Sequence, residues 1–143
     1  MQMSAELVDP LVVSEGPVGT RRILYARGGS FSGPRLRGDL LPGGGDWVLQ
    51  RRDGIAVLNI RFVLRTDDHE LIYVTCDGIF DISPELRERL RTGGAVDPSQ
   101  YYFRTAVTFE TGAESYRWLN RLLAVGVGQR TAAGMVTEVF AIR

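Results

Sequence analysis

The chain has 143 residues, enough to bury a single good core, and 44% of them are aliphatic, aromatic or cysteine. Its 17 basic and 17 acidic side chains cancel, which argues against a nucleic-acid binder with a basic stripe and against a polybasic membrane anchor. No apolar run approaches the ~20 residues of a bilayer-spanning helix, and residues 1–9 lack a basic region followed by an apolar one, so a single cytoplasmic domain over 1–143 is expected.

In chain order, residues 7–14 and 21–27 alternate or run apolar and predict the first two strands. Gly28 to Pro34 reads as a turn-rich connector, and Arg35 to Leu41 as a third strand. That strand feeds Pro42-Gly43-Gly44-Gly45-Asp46-Trp47, the most unusual local chemistry in the sequence. Three glycines there allow positive φ and close approach of other backbone, while Pro42 fixes the entry angle. Trp47 to Arg51 and Ile55 to Thr66 flank Asp53-Gly54, a strong hairpin signal. Asp67 to His69 predicts the next turn and Leu71 to Phe80 the next strand.

Ser83-Pro84-Glu85 is a helix start, with a capping side chain, proline at the first helical position and a carboxylate near the positive end of the dipole. The helix is one or two turns long, with Leu86 and Leu90 on one face and its arginines on a solvated face. Tyr101 to Thr111 is the clearest strand by period, and Thr111 with Glu114 has the spacing of a capping box opening a second short helix. Leu122 to Gly128 and Met135 to Ile142 predict two last strands. Many strands joined by short Gly/Asp turns, with two small helices, favour an all-β fold: a closed or nearly closed antiparallel barrel. Gly126 and Gly128, two apart on one face, fit a tight bend or an overlying helix.

Every basic side chain apart from His69 is arginine, so Schiff-base and Walker-type lysine chemistry is excluded. Cys76 and His69 are single, which removes an intrachain disulfide and a Cys/His zinc site; no metal or cofactor is expected. His69 lies in an acidic turn, a poor place for a buried base, and Cys76 lies mid-strand with nothing to lower its pKa.

Five segments carry a family resemblance: Gly38 to Trp47, Leu64 to Asp68, Tyr101 to Thr105, Phe109 to Gly112 and Trp118 to Asn120. In this order they resemble the domain-of-unknown-function 3237 family, small bacterial and fungal proteins, over nearly the whole chain. The resemblance implies a calycin-like β-barrel and names no general activity. Asn59 stands where that family commonly has aspartate, and His69 where a glycine often makes the turn. If the family's chemistry uses that aspartate as a base, this chain works differently.

A small barrel can enclose a ligand, so the orientation of polar side chains decides the chemistry. On Ile55 to Thr66, strand statistics send Ala56, Leu58, Ile60, Phe62 and Leu64 to the core and the arginines to water. The functional alternative turns Arg61 and Asn59 into the cavity. The same choice holds for Tyr102, Arg104 and Glu110 on the strand from Tyr101. Arg61, Arg104, Asp46 and Tyr102 are the candidate catalytic groups, and Trp47, Tyr73, Asn59, Glu110, Trp118 and Asn120 the candidate ligand contacts. Asp46 is most simply a turn residue bonding nearby backbone; beside Trp47 it is alternatively a carboxylate of raised pKa.

Three readings follow. The residue set favours an acid–base enzyme (isomerase, cyclase, conjugate-addition or lyase type) acting without metal or nucleotide on an oxygenated, partly apolar small molecule. A non-catalytic carrier or sensor of such a ligand is the second. A structural module whose aromatic faces make a homodimer or higher homo-oligomer is the third.

Overall fold

A computed structural model describes residues 1–143. Ten strands form one antiparallel sheet: β1 (Gln2–Leu7), β2 (Leu11–Gly16), β3 (Gly19–Ser32), β4 (Arg37–Leu40), β5 (Gly45–Gln50), β6 (Ala56–Thr66), β7 (Leu71–Asp81), β8 (Tyr102–Glu110), β9 (Ala124–Arg130) and β10 (Gly134–Ala141). The strands β1 and β2 run in line along one edge of β3, and β4 and β5 along its other edge. Pairing of β1 with both β10 and β3 then closes the sheet into an eight-position up-and-down barrel. A barrel of this size has room inside for packed side chains or one small ligand.

Period-2 alternation directs the core. On β6, Ala56, Leu58, Ile60, Phe62 and Leu64 are all buried, and on β8 Phe103, Val107 and Phe109 join them. Toward the end of the barrel that holds both chain termini, Phe31, Leu40, Phe62, Leu64, Ile72, Val74 and Val139 fill the interior. Each large aliphatic or aromatic side chain so buried contributes about 1.5–3 kcal/mol.

Two glycine segments depart from the sequence expectation. The strand β3 runs straight through Gly28-Gly29 instead of breaking into a connector. A Cβ on Gly29 would lie 1.9 Å from the Ser4 carbonyl oxygen, so glycine here permits the close β1–β3 contact that closes the barrel. Gly128 serves neither a bend nor a covering helix: the Phe103 ring packs where its Cβ would be, 2.5 Å away. The expected 7–14 strand corresponds to β2, and β1 lies outside it except for Leu7, because its two inward residues, Met3 and Ala5, are too few to make a strong alternation.

The helix α1 (Pro84–Arg91) begins as expected, with Ser83 Oγ accepting from the Leu86 N–H and Pro84 in its first turn. It connects β7 to β8 across one mouth of the barrel. The second short helix is a 3₁₀ helix over Glu114–Arg121, at the other end. The capping-box spacing does not form its cap; Ala113 occupies that position, and Thr111 Oγ1 instead donates to the Leu71 carbonyl at 2.7 Å and accepts from Ala113 N–H. No helix is long and apolar enough to cross a membrane.

Candidate functional site

The barrel interior opens into a cavity of about 260 Å³ at the α1 end. Its apolar wall comes from Leu24, Val48, Leu58, Phe80, Phe103 and Met135, with Leu90 of α1 across the mouth. Its polar groups are Asp46 and Gln50 from β5, Arg22 from β3, Arg130 from β9, and Arg87 and Arg91 from α1.

Asp46 is the buried centre of this set, at 5% exposure. The β5–β6 register pairs Asp46 with Ile60 and Leu49 with Val57 but skips Trp47 and Val48. In that gap the Asn59 backbone N–H donates to Asp46 Oδ1 at 3.0 Å, and the Trp47 carbonyl accepts from Arg21 at 3.0 Å. A side chain has entered the strand ladder. Gly44 and Gly45 make this possible just upstream: Cβ atoms there would lie 2.3 Å from the Arg61 carbonyl oxygen and 2.5 Å from that of Leu24. The glycine corner thus presses β5 against both neighbours immediately before the carboxylate.

Burial pushes the Asp46 pKa up to about 7, with the Asn59 hydrogen bond and the charge of Arg130 opposing part of the rise. Arg130 is itself half-buried, and desolvation pulls its pKa down while Asp46 opposes the fall. Its backbone N–H donates to the Tyr101 hydroxyl at 3.0 Å, which anchors the end of β9. Arg87 donates to the Gly54 carbonyl at 2.7 Å, and Gln50 to the same oxygen at 2.8 Å. Together they tie α1 to the β5–β6 hairpin over the cavity. Cys76 is buried on the same inner wall; desolvation first, then the Asp46 and Asp77 charges, push its pKa up to about 12 and keep it a thiol.

Of the residues singled out from sequence, Asp46 alone lines this cavity. The alternative that turned Arg61, Arg104 and Tyr102 inward is corrected: alternation on β6 and β8 commits their partners Ile60, Phe62, Phe103 and Thr105 to the interior, so these three lie on the outer wall. Arg61 is exposed and bonds Asn59 Oδ1, and Asn59 in turn donates to Asp77. Arg104 donates to the Phe103 carbonyl at 2.9 Å and lies over the Tyr102 ring. Tyr73 pairs with Glu110 across β7 and β8, both exposed and outside. Trp47 is also on the outer wall, edge-on to Tyr25 with ring centroids 6.1 Å apart. Trp118 and Asn120 sit at the opposite end of the barrel. Arg35 stacks 3.7 Å over the Trp118 ring, and the Asn120 amide clasps the Thr111 backbone with two hydrogen bonds of 2.8 Å. Of the α1 arginines, Arg89 and Arg91 are solvent-exposed as expected, Arg91 at the cavity mouth, whereas Arg87 is half-buried against the cavity.

Arg22, Arg87, Arg130 and Gln50 escaped the sequence reading. A signal existed for the three that lie on strands. Arg22 alternates with Leu24 and Ala26, Gln50 with Asp46 and Val48, and Arg130 extends the face of Ala124, Gly126 and Gly128.

Over residues 1–142 the sequence matches the family described as "Protein of unknown function (DUF3237)". It is 38% identical over 130 residues to the UPF0311 protein RPA1785 of Rhodopseudomonas palustris, covering 90% of this chain and 85% of that one. To the UPF0311 protein CA_C3321 of Clostridium acetobutylicum it is 34% identical over 132 residues, 92% and 84% of the two chains. The crystal structure of the R. palustris protein aligns at TM-score 0.92 and 34% identity, over 99% of this chain and 93% of that one. An enzyme from Penicillium herquei aligns at TM-score 0.70 over 99% and 91% of the chains; at 19% identity the likeness concerns the fold alone.

Proposed function

The chain belongs to this family of proteins of unknown function (DUF3237), and from that premise we propose that it is an acid–base enzyme acting on an oxygenated, partly apolar small molecule held in the Asp46 cavity. The observation that carries the reading is a single buried carboxylate lining a mostly apolar chamber that Arg130 also lines, and burial there pushes its pKa up to about 7. A general base works best when its pKa lies near the working pH, because it is then both available and strong enough to take a proton.

In this reading ionised Asp46 removes a proton from carbon next to a carbonyl, or from a hydroxyl, and becomes the neutral acid that burial favours. The electron pair moves onto the substrate oxygen, and the Arg130 guanidinium donates to that developing oxyanion. Return of the same proton to a different atom completes an isomerisation, a ring closure by conjugate addition, or a bond cleavage of retro-aldol type. The aromatic and aliphatic wall excludes water and holds the substrate body. The Asn59 N–H keeps the carboxylate oriented.

The test is deuterium incorporation next to the carbonyl of benzoylacetone and of phenylpyruvate in D₂O, followed by proton NMR. Wild type is expected to accelerate exchange in at least one of them, and Asp46→Asn to lose that acceleration while keeping its fold by circular dichroism. Binding without exchange, unaltered by Asp46→Asn, would make the barrel a carrier and end the enzyme proposal.

A further inference from the structure

Charges balance over the whole chain, 17 against 17, yet they do not balance inside the barrel. Four arginines line the cavity and Asp46 is the one acid among its lining residues. Arg91 is already committed to Glu88, with its Nε 2.7 Å from Oε2. Arg87 spends one donor on the Gly54 carbonyl and retains the rest. Arg22 and Arg130 belong to none of the six ion pairs in the protein. Three guanidinium groups therefore face a small chamber whose only counter-charge is a carboxylate that burial tends to neutralise.

Their mutual placement is costly. Burial first, and then the charge of Arg22, pull the Arg87 pKa down, and Asp81 at the end of β7 opposes this only from outside the cavity lining. Arg130 carries its charge into the half-buried interior. Such cations raise the energy of the empty site and lower it again when an oxyanion arrives, because a planar guanidinium fork matches two oxygens of a carboxylate or phosphate. Gln50 apart, the remaining wall is apolar, and the volume of about 260 Å³ is below the roughly 300–1,000 Å³ of drug-sized pockets.

We propose that the cavity recognises an oxyanion head group (carboxylate or phosphate monoester) on a compact apolar body, with Arg22, Arg87 and Arg130 as the head-group ligands and Phe80, Phe103, Leu58 and Met135 as the body contacts. The proposal rests on the Asp46 cavity being the ligand site, and it defines the class of molecule on which the proton transfer operates.

The experiment is isothermal titration of the full chain at neutral pH with benzoate, phenyl phosphate, benzamide and inorganic phosphate. Benzoate or phenyl phosphate is expected to bind roughly tenfold or more tighter than benzamide, the scale of one charge-assisted hydrogen bond, and tighter than inorganic phosphate. Whichever of the two aryl anions binds tighter identifies the head group. The preference over benzamide is expected to collapse in Arg130→Gln and to fall in Arg22→Gln, a rim residue whose replacement leaves the core untouched. Equal binding of benzoate, phenyl phosphate and benzamide, no binding of either aryl anion, or an anion preference that survives both arginine variants overturns the proposal. The two readings fail separately. Asp46→Asn is expected to abolish deuterium exchange while retaining the anion preference; exchange without anion preference overturns this inference alone.

Discussion

Replacing Asp46 by asparagine tests the central electrostatic claim without any substrate. In the unfolded chain the carboxyl titrates near its ordinary value of 3.8, whereas in the folded barrel burial raises it to about 7. Between those two values the native state binds more protons than the unfolded state, so stability falls as pH rises. The loss begins near pH 4, reaches roughly 2 kcal/mol by about pH 5.5 and levels off above about pH 7. A shift of about three units, at 1.36 kcal/mol each, sets the full loss at about 4 kcal/mol. Asparagine keeps the oxygen that accepts from Asn59 N–H and carries no charge to desolvate. The variant is therefore expected to match wild type within about 1 kcal/mol near pH 4 and to exceed it by roughly 3–4 kcal/mol near pH 8. Urea denaturation of both proteins across this range measures the difference directly, and contributions from other titrating groups largely cancel between them. A gap that stays constant from pH 4 to pH 8 would mean that Asp46 ionises as freely in the barrel as in water, and the base assignment would fall with it.

The remaining expectations concern single side chains. Thr105 Oγ1 is buried and has no hydrogen-bond partner in the protein, so isosteric Thr105→Val should stabilise the fold by about 1 kcal/mol in the same denaturation assay; destabilisation would show that the hydroxyl is satisfied. His69 is the only non-glycine residue with positive φ, at 68°, and left-handed backbone costs an L-residue about 1–2 kcal/mol. Allowing for the extra chain entropy of glycine, His69→Gly should gain roughly 0.5–1 kcal/mol, and a loss would place a needed contact on the imidazole. Arg61→Met and Arg104→Met lie on the outer wall and should leave exchange and anion binding within about twofold of wild type; a tenfold loss in either would return these residues to the site.

The parts of the fold that could be read from sequence are those where one physical signal acts alone. On β6 the alternation of Ala56, Leu58, Ile60, Phe62 and Leu64 needs only the pleat and the hydrophobic effect, and the structure buries every one of them. The α1 start needs only Ser83 and Pro84. Gly28-Gly29 misled because glycine has two uses, turning and close approach, and only the Ser4 carbonyl, 25 residues away in sequence, decides between them. The site was harder for a related reason. Alternation assigns charged side chains to water, and on this rule Arg22 and Arg130 belong outside although each occupies the phase of an inward face. Arg61 and Arg104 obey the rule and are exposed or half-exposed on the outer wall; Arg130 breaks it, half-buried in the cavity wall, while Arg22 lines the same cavity from an exposed position at its rim. A charge in the inward phase of a strand is a local conflict that folding alone would remove, since an uncharged side chain there would pack more cheaply. At Arg130 this conflict stands in the same cavity as Asp46, which Gly44 and Gly45 position, and it is the feature on which the proposed ligand site rests. The phase of a charge therefore says more about the cavity lining here than its presence does.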